Sequence, residues 1–567
     1  MPKYPKINEM DFQKDITKKF PKYVIKKKKK RMEDICYPKN YQLQIPQQFV
    51  ADFMNPNSPY TGLLIDHQIG AGKTCAGINI AEGFKGKKKI IAVMPASLKG
   101  GFRDELRSPC TGNSYVTDRE RAILRKNDRK SSKYLSIIKK SDEKINKYYD
   151  IYSYNKFISK IDDGSLNLDD ALLIIDEVHN LISSKGSYYK KTYDAIHSAP
   201  SSLRLVLMTA TPIYDSPNEI ALLMNLFLKD DKQMPVGQEF NKMFIKARKS
   251  GDDIKYSAKN LDKFKKYIAG YVSYYRGAPA ITFPDYKLSI VEVNMSEMQR
   301  RTYDKIKNIE KKEVVDPHIK NNSFLIGTRK VSNAVYPRGK MGSQGLKLLK
   351  NSDYELGKMA KYSPKFVAIY KNIRNQSSPS FIYSNFKEYS GILFLAKFLE
   401  YHGYQNYEDH GPGKNRYAIW SGDIKSDVRN RIKSIFNHPT NADGSQIQLM
   451  LGSPSIKEGV SLLRVRQVHI IEPYWNHSRM DQVIGRAFRY CSHKDLPKDQ
   501  RNVRVFIYIA VHPKIKVSVD RHVLNIADKK LNISNPFNLA IKEASVDCKL
   551  FKNDNLRSGE PNINCSI

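Results

Sequence analysis

The chain has 567 residues, 40% of them hydrophobic and 27% charged, which excludes a disordered chain and is too long for one core, so at least two domains are expected. A net charge of +38 suits a polyanionic partner, nucleic acid first, although abundant Lys, Asn, Ile and Tyr also fit an AT-rich genome. No apolar run approaches membrane-spanning length and the N-terminus lacks an apolar signal core, so a soluble protein that works without a membrane is expected.

Residues 1–40 read as a basic, aperiodic arm containing "KKKKKR" at Lys26–Arg31, either a solvated run or a nucleic-acid or import signal. From 41 to 230, "TGLLID", "KIIAVMP", "ALLIIDEVH" and "LRLVLMTATP" each predict a buried strand ending at a polar or glycine-rich turn, with helical patterns between them. Strands alternating with helices imply βαβ units and a parallel sheet. Residues 231–360 are lysine-rich and mostly helical in pattern, a linking region. A second α/β series follows over 361–515, with "SFIYSNF", "IQLMLGS", "VRQVHIIEP" and "VRVFIYIAV" as strands, and 516–567 form a helical tail. The six cysteines (Cys36, Cys75, Cys110, Cys491, Cys548, Cys565) contain no C-x-x-C pair, which argues against a zinc ribbon and a disulfide framework and suits a reducing compartment.

The stretch "LLIDHQIGAGKT" at Leu63–Thr74 carries a phosphate-binding pattern whose first position holds His67 instead of glycine. A triphosphate needs converging backbone N–H groups, a lysine and a metal-binding hydroxyl. Here Gly70 and Gly72 allow the close turn, Lys73 bridges phosphates and Thr74 ligates Mg²⁺, with His67, Gln68, Ile69 and Ala71 completing the loop. About 100 residues later, "LLIIDEVHN" closes a buried strand with two carboxylates: Asp176 for the Mg²⁺ shell and Glu177 for the attacking water. ATP and Mg²⁺ are the cofactors these residues imply.

"DEVH" followed by "LMTATP" resembles motifs II and III of superfamily 2 helicases and translocases. In the same order, "YQLQIPQQF" resembles the upstream glutamine motif, with Gln47 reading adenine; "VMPASLKGGF" and "IYSYNKF" resemble motifs Ia and Ib. "FIYSNF" resembles motif IV, "GSPSIKEGVSL" motif V and "QVIGRAFRYCSH" motif VI, with Gln482, Arg486 and Arg489 at the family's spacing. This superfamily does not restrict the first motif I position to glycine. "FVADFMNPNSPYTGLLIDHQIGAGKT", "VNMSEMQRRTY", "EPYWNHSRMDQVIGRAFRYCSH" and "KEASVDCKLF" narrow the resemblance to the Snf2-like helicases of large nucleocytoplasmic DNA viruses, a group that includes poxvirus nucleoside triphosphatase I and the early transcription factor small subunit.

The resemblance implies an α/β architecture of two RecA-like parallel-sheet domains with a helical linking region. It implies an ATP hydrolase in which Arg486 and Arg489 act as arginine fingers from the far side of a cleft. Thr209 and Thr211 of the TAT segment, His179 and Gln482 are expected to couple the phosphate site to the nucleic-acid groove, although a histidine at a strand end and threonines in a turn equally satisfy local backbone. Glu458 and Gly459 either approach the ribose or couple the sites. Ser97, Lys99, Ser384 and Ser453 are expected to hold backbone phosphates, and aromatics in "IYSYNKF" either stack on bases or pack a core.

The leading reading is an ATP-dependent DNA translocase or helicase serving viral transcription, at early initiation or termination. It would work on duplex or single-stranded DNA with the viral RNA polymerase or a second transcription-factor subunit, in the virion and host-cell cytoplasm. An RNA helicase and a non-hydrolysing DNA-binding subunit are the alternatives, and a restriction motor is disfavoured by the lack of a second carboxylate-lysine cluster. The tail "KEASVDCKLFKNDN" either packs as a terminal helix or docks on a polymerase.

Overall fold

The computed structural model describes residues 4–7, 9, 11–26, 31–39, 41–68, 70–128, 130–182, 186–250, 253–313, 325–457, 460–556 and 561–565. Two units divide the chain: Met1–Pro279 with Lys530–Ile567, and Ala280–Lys529. In chain order the strands are β1 (Gly62–His67), β2 (Lys89–Met94), β3 (Tyr149–Ser153), β4 (Ala171–Asp176), β5 (Arg204–Met208), β6 (Ile245–Ser250), β7 (Asp253–Ala258), β8 (Val272–Tyr275), β9 (Asp285–Asn294), β10 (Ser380–Tyr383), β11 (Gln405–Asn406), β12 (Arg416–Trp420), β13 (Leu449–Gly452), β14 (Gln467–Ile470) and β15 (Asn502–Val511).

In the first unit, six parallel strands take the order β3-β2-β4-β5-β1-β8. Successive side chains of a strand point to opposite faces, and here both faces are covered. Leu63, Ile65, Ile90, Ala92, Leu172, Ile174 and Val206 pack on one side, while Leu64, Ile91, Val93, Leu173, Ile175, Leu205 and Leu207 pack on the other. That is why the strands read as unbroken apolar runs rather than alternating ones. Since β5 lies between β4 and β1, the polar turns that follow these three strands are neighbours at one edge of the sheet.

The second unit is a seven-stranded parallel sheet, β11-β12-β13-β10-β14-β15-β9. The α/β class with two parallel sheets is therefore as expected, and the eight quoted runs form β1, β2, β4, β5, β10, β13, β14 and β15.

The segment 231–360 is divided between the units rather than standing as one helical link. Its first part contributes two short helices (Gly237–Phe244, Leu261–Ile268), the antiparallel ribbon β6–β7 and strand β8 to the first unit. Its second part supplies β9, which pairs with β15 along its full length. β9 shows period-two alternation in "DYKLSIVEVN", with Tyr286, Leu288 and Ile290 on one exposed face.

Both ends of the chain pack onto the first unit. The helix Phe12–Lys19 sends Phe12 and Ile16 into the same core that holds Leu63 and Ile65, while Lys27–Lys30 of the basic run lie outside the described residues. At the other end, the helices Val519–Ala544 and Cys548–Asn555 bury Phe537, Ile541, Leu550 and Phe551. The tail is thus a packed terminal segment.

The cysteine expectation is corrected: Cys75 is bonded to Cys110 and Cys548 to Cys565, across 35 and 17 residues. Such pairs arise from tertiary proximity, which spacing along the chain does not reveal.

Phe551 is fully buried against Phe49 and Tyr275 at ring separations of 5.6 and 5.7 Å. Phe551→Ala should lower the stability of the first unit by about 3–5 kcal/mol. A calorimetric scan that leaves its transition unmoved would show the tail to be peripheral.

Candidate active site

The loop after β1 leads directly into the helix Lys73–Phe84, with Gly72 as its N-cap in the left-handed region (φ +71°) and Gly70 at φ +87°. The left-handed backbone demands glycine, and a Cβ on Gly72 would sit 2.2 Å from Gln47 Nε2 and push that side chain aside. Ile69 lies outside the described residues.

Lys73 is brought to the two carboxylates ending β4. Its Nζ donates to Glu177 Oε1 at 2.8 Å and lies 3.5 Å from Asp176 Oδ1, with only 10% of its side chain exposed. Burial alone would lower the ammonium's pKa, but the Glu177 and Asp176 carboxylates outweigh it and raise it. Asp176 is pushed up, chiefly by burial and against the pull of Lys73. Glu177 adopts a left-handed backbone (φ +51°), a costly conformation for a residue with a side chain. Two contacts support it: its N–H donates to Asp176 Oδ1 at 2.9 Å, and Tyr154 Oη donates to the carbonyls of Asp176 and Glu177, the latter at 2.8 Å.

The TAT segment is tied to both motifs. His179 Nδ1 pairs with Thr209 Oγ1 at 3.0 Å, lies 3.4 Å from Glu177 Oε2, and its ring stacks on Tyr214. Thr209 Oγ1 accepts the Thr211 N–H at 3.0 Å, whereas Thr211 Oγ1 is buried with no partner among the described residues. Gln68 Nε2 donates to Asp66 Oδ1 and to the Ala210 carbonyl, both at 3.1 Å. A continuous polar line therefore runs from the phosphate-binding loop through the TAT segment to the β4 turn.

Other expected residues are engaged differently. Gln47 is buried: its Oε1 accepts the Gln44 N–H at 2.8 Å and its Nε2 donates to the Gly72 carbonyl at 3.1 Å, so its amide braces the loop. Thr74 begins the helix beside Lys73, half-buried. In the second unit, Arg486 and Arg489 meet on one acceptor, the Val460 carbonyl, at 3.2 and 3.3 Å, and Arg486 Nε also donates to the half-buried Gln482's carbonyl at 3.0 Å. Burial lowers the Arg489 pKa. Glu458 and Gly459 lie outside the described residues.

Ser97 is exposed and Lys99 partly so, past the end of β2. Ser384 and Ser453 face inward instead, the first donating to Glu472 Oε2 at 2.9 Å and the second to the Trp420 carbonyl at 3.3 Å. A phosphate-holding role for these two hydroxyls does not match this placement, because their positions at the ends of β10 and β13 say nothing about which way they turn. Tyr154, one of the "IYSYNKF" aromatics expected to stack on bases or pack a core, instead supports the β4 turn; it stands 22 residues before its partner Asp176, and nothing local announces that contact.

The donor set fits a metal-bound nucleoside triphosphate: a glycine cradle that a Cβ would fill, an ammonium at its floor, a hydroxyl at the helix start and two carboxylates within reach of the ammonium.

Residues 35–214 match the family model for the type III restriction enzyme res subunit, and 364–491 match the helicase conserved C-terminal domain. A protein of Acanthamoeba polyphaga mimivirus that carries an ATP-dependent RNA helicase name, R563, is 51% identical over 99% of both chains. A termination factor NPH-I homolog of African swine fever virus is 28% identical, covering 86% of this chain and 76% of its own. A solved SWI2/SNF2 ATPase core from Sulfolobus solfataricus in complex with double-stranded DNA aligns over 82% of this chain and 86% of that one, at 15% identity and a TM-score of 0.31. The chain belongs to the superfamily 2 helicases of large DNA viruses, ATP-hydrolysing enzymes that act on nucleic acid. Among the described residues, no helix is long and apolar enough to cross a membrane.

Gly72→Ala should weaken ADP binding at least tenfold, by calorimetric titration. Adding Gln47→Ala should restore only part, since the left-handed backbone alone costs an alanine about 1–2 kcal/mol. Native affinity in the single variant would show that the loop does not hold the nucleotide.

Proposed function

We propose that this helicase is a DNA-stimulated ATPase that moves along DNA during viral transcription, and that the site around Lys73 drives it. The observation that carries the reading is the Lys73–Glu177–Asp176 cluster beside the glycine loop. The Lys73 ammonium and the Glu177 carboxylate pair with one another. Phosphate oxygens offer Lys73 a stronger anionic partner, and transfer of the ammonium to them releases Glu177 to accept a proton from water. Thr74 and Asp176 are the residues that would hold Mg²⁺, which supplies charge neutralisation of the phosphates when bound. Arg486 and Arg489 are assigned the charge that builds on the transferring phosphoryl group. The Gln68–Ala210 and His179–Thr209 contacts are assigned the transmission of nucleotide state to the TAT segment.

Two observations support DNA and transcription: the sequence resemblance to the poxvirus group, and the similarity to a protein named as a termination factor homolog. The RNA reading is favoured by one specific observation, the RNA helicase name of the 51% identical mimivirus protein. Association with the viral polymerase and a place in the virion and host-cell cytoplasm follow the first reading.

Steady-state hydrolysis measured without nucleic acid and with single-stranded DNA, duplex DNA or RNA separates the two. DNA should raise kcat several-fold, and Glu177→Gln should lower it at least a hundredfold while ATP still binds. Stimulation by RNA alone would transfer the assignment to an RNA helicase, and hydrolysis that survives Glu177→Gln would remove the base from its role.

A further inference from the structure

His67, which replaces glycine at the start of the phosphate-binding loop, is wholly buried at the end of β1. Its Nε2 pairs with Ser273 Oγ at 3.0 Å. Ser273 lies on β8 opposite Ile65, so the contact is the diagonal one between adjacent strands. Ser273 Oγ donates in turn to Asp547 Oδ2, and Asp547 Oδ1 accepts the Tyr274 N–H at 3.0 Å. All three side chains are fully buried, and Asp547 belongs to the terminal segment, 480 positions beyond His67.

The donor directions follow when Asp547 is ionised. With both its oxygens accepting, Asp547 takes the serine hydroxyl proton, which leaves Ser273 Oγ as an acceptor and makes His67 Nε2 the N–H donor. His67 Nδ1 is then a bare lone pair, buried and without a partner among the described residues. Burial, with Lys73 nearby, lowers the imidazole pKa to about 3, so the ring is neutral. Burial raises Asp547 to about 7, against the pull of its hydrogen bonds. The segment that carries Asp547 is held independently along β8: the Val546 N–H donates to the Val272 carbonyl at 2.8 Å, and Asn555 accepts the Arg276 N–H at 2.9 Å and donates to the Tyr274 carbonyl at 3.2 Å. The partner of the loop's first residue is therefore anchored by contacts that do not involve the loop.

We propose that Asp547 is a positioning residue for the phosphate-binding loop, acting through Ser273 on His67, so that the terminal segment sets the loop's entry geometry where a glycine would leave it unrestrained. The proposal rests on the reading of this loop as the nucleotide site and adds to it a dependence on the distant end of the chain. The loop's N–H groups hold phosphate equally before and during hydrolysis, so loss of the relay acts on nucleotide affinity more than on turnover.

The test compares full-length variants by ADP titration and ATP kinetics. Ser273→Ala is expected to raise the ADP Kd and the ATP KM about tenfold with kcat within twofold, and Ser273→Thr, which keeps the hydroxyl, to return both to within twofold of native. Asp547→Asn keeps the shape but reverses the donor direction through the serine, and is expected to weaken ADP by the same order even if Ser273→Ala folds poorly. In a His67→Gly background, Ser273→Ala should change the ADP Kd no further. The relay is overturned if folded Asp547→Asn and Ser273→Ala bind ADP as native, or if the loss persists undiminished beside His67→Gly. Native protein that binds no ADP overturns the nucleotide-site reading itself, a result distinct from variants that bind as tightly as native.

Discussion

An ammonium with nine-tenths of its side chain out of water must be paired, and Lys73 is paired with two carboxylates from a strand one place beyond its neighbour in the sheet. Much of the first unit's polar architecture serves that requirement. The glycines at φ +71° and +87° turn the chain so that Lys73 opens a helix. Gln47 braces that turn from outside, and Tyr154 holds the strained carbonyls that let Glu177 face the lysine. The arrangement is self-satisfied, because the ammonium and the carboxylates it faces neutralise one another.

The second unit meets a comparable constraint with a different set. Lys365 and Asp520, each 1% exposed, pair at 2.6 Å, and the lysine also donates to Asn333 Oδ1 and the Ile471 carbonyl. Asn333 donates to Glu472, which collects Ser384 and Asn385 as well. A network so deeply buried costs several kcal/mol if one partner is lost, so its groups are committed to one another. That commitment is why Ser384, at the end of β10, turns inward although its strand position resembles a phosphate-contacting one.

Legibility in the sequence followed burial on two faces. Strands such as "ALLIID" and "LRLVLM" are apolar throughout because helices cover both sides of the sheet, and those were readable. The small strands β8 and β11 were not, since their short length leaves no period to mark a strand, and β9 lay in a segment read as helical although its apolar residues alternate. Lys73, Asp176 and Glu177 were legible because phosphate chemistry demands those residue types in a fixed local order. Gln47 and Ser453 were placed by motif position, which gives a location along the chain without an orientation.

By itself the sequence determined the class of fold, two α/β units, and picked out the groups that gather around Lys73, since both depend on local pattern: strand burial, a glycine turn, a carboxylate pair at a strand end. Only the tertiary structure decided which distant residues complete them. Asp547 reaches His67 through Ser273, Tyr154 supports Glu177, and Cys75 meets Cys110. These contacts join segments whose separation is set by strand order, and a hydrogen bond between fully buried groups leaves no periodic trace along the chain.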